Sequence, residues 1–158
     1  MKRQIKAFGL AAIGAILITP AQAQQAPEIT SQLARGGFML ENGLIIPDFD
    51  PVEGRALFGA KGCVVCHSIN GIGGGDAPDI SSSHMEAGMN AFEFAARMWR
   101  GAPAMIAMQE NELGGQIELT GEELAAIIAF VHDADEQARF SEADIPDNIL
   151  ELLEEDGE

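Results

Sequence analysis

Tyrosine is absent from the 158 residues, tryptophan occurs once, and aromatic residues make up only 6%. The core of this chain must therefore be mostly aliphatic, with methionine and phenylalanine filling in. Only two cysteines are present, so a framework of several disulfides is excluded and stability must come from packing or from a bound group. Basic residues are scarce: nine face 25 acidic ones, a net charge of −16. Such a surface repels nucleic acid and anionic lipid head groups. No apolar run reaches the roughly 20 residues that a membrane-spanning helix needs. No internal repeat is present, and no alternating run is long enough to argue for a sheet, which leaves an all-α reading. The length suits one domain, and 47% hydrophobic residues can build a real core.

Met1 to Lys6 carries Lys2, Arg3 and Lys6, and Ala7 to Thr19 is apolar and uncharged. Pro20 then precedes Ala21-Gln22-Ala23, a small-residue cleavage pattern. This predicts a secretory signal peptide over 1–23, export to the periplasm, and no membrane span after cleavage. Cleavage removes three basic residues and no acidic one, leaving six against 25, a net −19. A partner of such a chain is expected to dock through a basic face. Residues 24–49 read as an N-terminal arm, extended but with Met39, Leu40, Leu44, Ile45 and Ile46 able to pack on the domain. Residues 50–136 read as the folded domain and 137–158 as an acidic tail with some amphipathic helical character.

Within the domain, Asp50 can cap a helix with Pro51 at its first position and Glu53 in its first turn. Val52, Leu57 and Phe58 share an inward side, and Gly54, four residues before Phe58, lets another helix approach closely. Asn90 caps a second helix with Glu93 at the capping-box position, and Gly101 with Pro103 is expected to end it. Met105 and Met108 then fall in a loop. Thr120-Gly121-Glu122-Glu123 opens a third helix, to about Ala134, with Leu124, Ile127, Ile128 and Val131 at helical spacing.

Between the first two helices lies Cys63-Val64-Val65-Cys66-His67. Two thiols three positions apart can each add to one vinyl group of a porphyrin, and the adjacent imidazole can reach the iron from one face. Cys-x-x-Cys-His is the signature of covalent haem attachment. A redox dithiol and half of a zinc site use similar spacings. For a four-ligand zinc site the remaining candidates are His84 and His132, with no second Cys pair, and a thioredoxin-like dithiol would sit in an α/β domain. A bound haem would also supply the bulk that the missing aromatics do not. The loop after the motif holds Gly71, Gly73, Gly74 and Gly75, too many for a helix; it is a turn that brings backbone close to something.

Gly54-Arg55-Ala56-Leu57-Phe58, Gly62 to His67, and Gly73-Gly74-Gly75-Asp76-Ala77-Pro78-Asp79-Ile80 together resemble a bacterial class I (monohaem) cytochrome c. Leu119 to Val131 resembles that family's last helix. The resemblance covers roughly Asp50 to Asp135. It implies a small all-α fold wrapped around one covalently bound haem c, with Gly54 and Phe58 crossing Phe130. It implies that Cys63 and Cys66 hold the haem, that His67 ligates its iron, and that the Pro78 carbonyl accepts the proton of the ligand imidazole.

The family's second axial ligand is usually a methionine between the middle and last helices. Met98-Trp99-Arg100-Gly101-Ala102-Pro103-Ala104-Met105 resembles a pattern in which the later methionine ligates, although Arg100-Gly101 departs from it. Met105 is the first choice and Met108 the alternative; Met98 reads as core. Trp99 is a candidate donor to a haem propionate or a partly buried core residue. Arg55 and Arg100 are candidate propionate partners or solvated charges. His84 and His132 read as surface or capping groups. With both axial positions filled, the iron exchanges electrons and binds no substrate. The chain is expected to be a one-electron carrier, not an enzyme, meeting redox protein partners and no nucleic acid. The alternatives are a haem subunit of a larger periplasmic dehydrogenase, which the arm and tail would suit, and a five-coordinate ligand-binding haem protein.

Overall fold

A computed structural model describes residues 37–155 of the chain. The expected signal peptide, the arm before residue 37 and the last three residues of the tail lie outside the described residues.

Helix α1 (Pro51–Ala60) starts where the sequence places it. The Asp50 carboxylate accepts from the Val52 and Glu53 amides at 2.9 and 3.1 Å, with Pro51 in the first turn. A one-turn helix α2 (Cys63–Cys66) follows, entered through Gly62 at φ +79°. Helix α3 spans Ala91–Glu112 and α4 spans Gly121–His132. The α4 cap is reciprocal: the Thr120 hydroxyl accepts from the Glu123 amide at 3.2 Å, and the Glu123 carboxylate accepts from the Thr120 amide at 2.9 Å.

The core is built where α1 crosses α4. A Cβ at Gly54 would collide with the Ala126 carbonyl and lie 2.7 Å from the Cβ of Phe130, so only glycine admits this approach. Phe58 and Phe130, both fully buried, meet with ring centroids 5.8 Å apart. Val64, Val65 and Ile69 extend the same core under the cysteine motif.

Three features differ from the sequence expectation. First, α3 does not stop at Gly101 but runs through Pro103 to Glu112. Proline removes one backbone donor and so one i→i−4 bond. Both Pro103 and Trp99, whose carbonyl loses that bond, are exposed, so water can serve it. The apolar stripe through Phe94, Met98, Ala102, Met105 and Ile106 also continues unbroken, which favours one helix over two. Asn90 caps it through the Glu93 amide at 3.0 Å, but the Glu93 carboxylate turns to Arg97 and Arg100 instead of closing a capping box.

Second, the segment after residue 136 is not a solvated tail. Helix α5 (Ala134–Gln137) leads to Phe140, whose ring meets Phe58 at 5.4 Å and Phe130 at 5.8 Å. Ile145 and Ile149 join the core, and helix α6 (Asp147–Glu155) lies against α2. Arg55 bridges Glu136, at 2.7 Å, and Asp144, which ties this segment to α1. Its acidic composition hides a few widely spaced apolar anchors.

Third, two short antiparallel ladders occur in the helical frame. Strands β1 (Phe38–Met39) and β2 (Ile45–Ile46) pair Phe38 with Ile46; β3 (Ser68–Ile69) and β4 (Ile72–Gly73) pair Ser68 with Gly73. The first hairpin is what the arm becomes. Ile45 and Ile46, the part of the arm best shielded, are half-buried, whereas Phe38, Met39, Leu40 and Leu44 stay exposed. Among the described residues no helix is long and apolar enough to cross a membrane.

If the C-terminal segment is part of the core, Phe140→Ala should lower stability by about 3–5 kcal/mol, read as a shifted urea midpoint. Met39→Ala on the exposed hairpin should change it by no more than about 0.5 kcal/mol.

Candidate functional site

The cysteine motif is held from both sides. Val64 and Val65 turn into the core, which leaves Cys63 and Cys66 half-buried one turn apart. The two are not joined to each other in a disulfide. Burial pushes the Cys63 thiol up to about 11. His67 ends the turn in extended conformation, at φ −101° and ψ 145°.

The glycine-rich segment explains itself once its neighbours are seen. What it approaches is the backbone of the motif. A Cβ at Gly74 would collide with the Val65 carbonyl, and one at Gly73, at φ +118°, with the His67 carbonyl. The Gly74 amide donates to the Val64 carbonyl at 2.9 Å and the Ala77 amide to the Cys66 carbonyl at 3.0 Å. The chain thus doubles back along the motif and delivers Pro78, whose carbonyl lies 2.8 Å from His67 Nδ1. A carbonyl can only accept, so Nδ1 carries the proton and Nε2 is the lone-pair nitrogen.

Asp79 continues this loop. Its carboxyl is held below the usual aspartate range, first by the Ser81 side chain, then by the Ser81 amide at 2.7 Å, with His84 contributing. His84 is therefore a surface partner of Asp79, 3.2 Å away.

Met98 and Met105 are seven residues apart on α3, both half-buried on its apolar stripe. Met105 turns back along the helix: its methyl lies 3.9 Å from where a Cβ of Gly101 would be. Met105 and Met108 thus occupy a helix, not a loop. Trp99 sits about 100° around the helix from Met98 and is 81% exposed. It is not a core residue. Of the two arginines considered for propionates, Arg55 is engaged by Glu136 and Asp144, and Arg100, largely exposed, reaches Glu93 at 3.1 Å. His132 lies in the last turn of α4, half-buried and bonded to that helix's own backbone. Its Nδ1 donates to the Ile128 carbonyl at 2.8 Å, its ring meets Phe94 edge-on at 5.8 Å, and Nε2 is buried without a partner among the described residues.

The residues present fit a covalently held haem. Two half-buried thiols share one turn, an adjacent imidazole has its second nitrogen fixed by a carbonyl, and the apolar stripe of a 22-residue helix has no fully buried residue. Among the described residues no three His, Cys, Asp or Glu side chains gather as a zinc site would require. A family model for cytochrome c matches residues 51–135. The chain belongs to the cytochrome c family. Neither a curated protein nor a solved structure matches it. The cytochrome c domain together with its Cys-x-x-Cys motif gives one covalently attached haem c and haem-based electron transfer, in a family whose members are typically electron carriers. The match ends before the buried residues Gln137, Phe140, Ile145 and Ile149, which composition alone assigns to the tail. Of these, only Ile149, in the Ile149-Leu150 and Leu152-Leu153 pairs, carries a helical signal.

The bonds that depress Asp79 stabilise the folded loop while its carboxyl is ionised. That contribution is present above the ordinary aspartate range, near about pH 3.9, and is lost as the pH falls through and below it. Acidification should therefore speed hydrogen exchange at the Ser81 amide before it affects the α4 amides.

Proposed function

We propose that this chain is a bacterial class I, monohaem cytochrome c that carries single electrons in the periplasm, with His67 and Met105 as the axial ligands. The observation that carries the ligand reading is the 2.8 Å bond from His67 Nδ1 to the Pro78 carbonyl. It leaves Nε2 as the donor nitrogen and raises the basicity of the ring. Met105 supports the sixth position by sharing the Met98 stripe of α3, the helix whose Phe94 packs on His132 of α4. Cys63 and Cys66 would hold the haem by thioethers, and bound there it supplies a one-electron ferric/ferrous couple. The protein's part is to hold and orient. The core beneath Val64 and Val65 fixes the motif, the glycine segment fixes Pro78, and Pro78 fixes the imidazole. A neutral thioether opposite an imidazole favours the ferrous state relative to two imidazoles.

The periplasmic assignment follows from the signal-peptide pattern over 1–23, which is also the compartment suited to haem c attachment. The net charge of −16, or −19 after cleavage, suits a redox partner with a basic docking face. A second reading, a haem subunit of a larger periplasmic dehydrogenase, is favoured by the β1–β2 hairpin. It exposes Phe38, Met39, Leu40 and Leu44, with Phe49 and Val52 close behind in sequence, an apolar surface that a free carrier has no use for.

The deciding experiment is the optical spectrum of the oxidised holoprotein, searched for the weak far-red band that marks sulfur on ferric haem iron. The band should be present, Met105→Ala should abolish it, and Met108→Ala should leave it. A wild type that lacks the band and binds carbon monoxide when reduced would instead be a five-coordinate ligand-binding haem protein. Association with a basic redox partner should slow steeply as salt is raised; a salt-independent rate would sink the docking proposal.

A further inference from the structure

Gln137 lies two residues beyond the end of the cytochrome c match, yet it is 1% exposed and both polar atoms of its side chain are bonded. Its Oε1 accepts from the Ser82 amide at 2.7 Å, and its Nε2 donates to the Ile80 carbonyl at 3.4 Å. Its backbone carbonyl accepts from the Asn70 side chain at 3.2 Å. Asn70 holds the β3–β4 turn at φ +52°, and its amide donates to the buried Ser81 hydroxyl at 2.8 Å. One buried residue therefore clamps both the loop after Pro78 and the turn after His67.

On the other side of that loop, the Ala77 amide donates to Cys66 and the Ile80 amide to Ser68, each at 3.0 Å. Pro78 is thus bracketed by residues 77 and 80, and residue 80 is in turn gripped from behind by Gln137. Pro78 has no amide proton with which to fix its own position. The position of its carbonyl depends on its neighbours being held.

We propose that Gln137 is a positioning residue for the His67 imidazole: by clamping Ile80 and Ser82 it holds the Pro78 carbonyl against Nδ1–H and so sets how strong a ligand His67 is. This rests on the reading of His67 as an iron ligand. The C-terminal segment then acts on the ligand at one remove, through the loop that carries Pro78. A firmly held acceptor makes the ring more basic and favours ferric iron; a loosened one makes it less basic and raises the potential.

The test uses the holoprotein. Proton NMR follows exchange of the hyperfine-shifted Nδ1 proton of the bound imidazole, and voltammetry follows the reduction potential. Gln137→Leu keeps the bulk and removes both side-chain bonds. It should speed exchange of the ring proton about tenfold, the size expected for losing a buried hydrogen bond, and move the potential positive. Phe140→Leu trims the core packing of the same segment but keeps the backbone and both Gln137 side-chain bonds in place, and should leave both readouts at wild-type values. Unchanged exchange and potential in Gln137→Leu would overturn the proposal, and so would an equal effect in Phe140→Leu. If Gln137→Leu does not fold, the wild type still decides. The Ser82 amide and the ring proton should exchange with the same denaturant dependence, and separate dependences would overturn the clamp. A wild type with no such ring proton would overturn the ligand reading and the clamp together, an outcome distinct from a ring proton that ignores Gln137.

Discussion

The contact on which everything else hangs is the approach of α1 to the Ala126 carbonyl at Gly54. Because nothing larger than hydrogen fits there, the two helices cross at close range and their aromatics are forced into one place. Phe58 and Phe130 meet, and the space they leave is closed by Phe140 from the C-terminal segment. The crossing also fixes the exit of α1. Lys61 pairs with Glu123 at 2.8 Å and donates to the Glu118 carbonyl at 3.1 Å, so the chain enters Gly62 and the cysteine turn from a point anchored to the start of α4. Had that crossing been looser, the thiols would have no fixed direction relative to α3.

From that anchored turn, the site is assembled almost wholly from backbone. The carbonyls of Val64, Cys66 and Ser68 each receive an amide from the returning chain. This is why the loop is rich in glycine at Gly73 and Gly74: two backbones cannot lie this close with side chains between them. The imidazole of His67 is then oriented by a carbonyl, an acceptor that does not titrate and leaves Nε2 alone as the donor.

What could be read from the sequence was local in origin. Asp50, Asn90 and Thr120 announce helix starts because a cap acts within three residues. Gly54 and Phe58 announce a crossing because they share a face, and Cys63, Cys66 and His67 announce their chemistry by spacing alone. The features that escaped depend on distant partners. Pro103 looks like a stop until the exposed carbonyl it orphans and the stripe beyond it are weighed together. Phe140, Ile145 and Ile149 sit among acids, and they are buried against Phe58 and Phe130, far away in sequence, while Arg55, more than 80 residues earlier, takes up Glu136 and Asp144. Arg55 itself escapes for the same reason, because a free arginine and a paired one look alike in a string of letters. His132 reads as a helix-end residue, and its packing against Phe94 of α3 is a distant pairing that the sequence does not carry.

The same distant pairings shape the electrostatics. Every arginine and lysine among the described residues, Arg55, Lys61, Arg97, Arg100 and Arg139, lies within 4 Å of a carboxylate. The cations are thus spent inside the chain's own network, where each offsets a neighbouring acid and projects little field outward. The exposed pairs at Arg97 and Arg100 contribute little to stability, whereas Arg55 holds the C-terminal segment that supplies Phe140 and Gln137. What remains uncompensated is acid, so the long-range field is negative and not a mosaic of both signs. The charge balance therefore follows from how this extended cytochrome domain is closed. Arg55 is committed to closing the fold, the other cations each offset a neighbouring acid, and the acidic excess is left uncompensated.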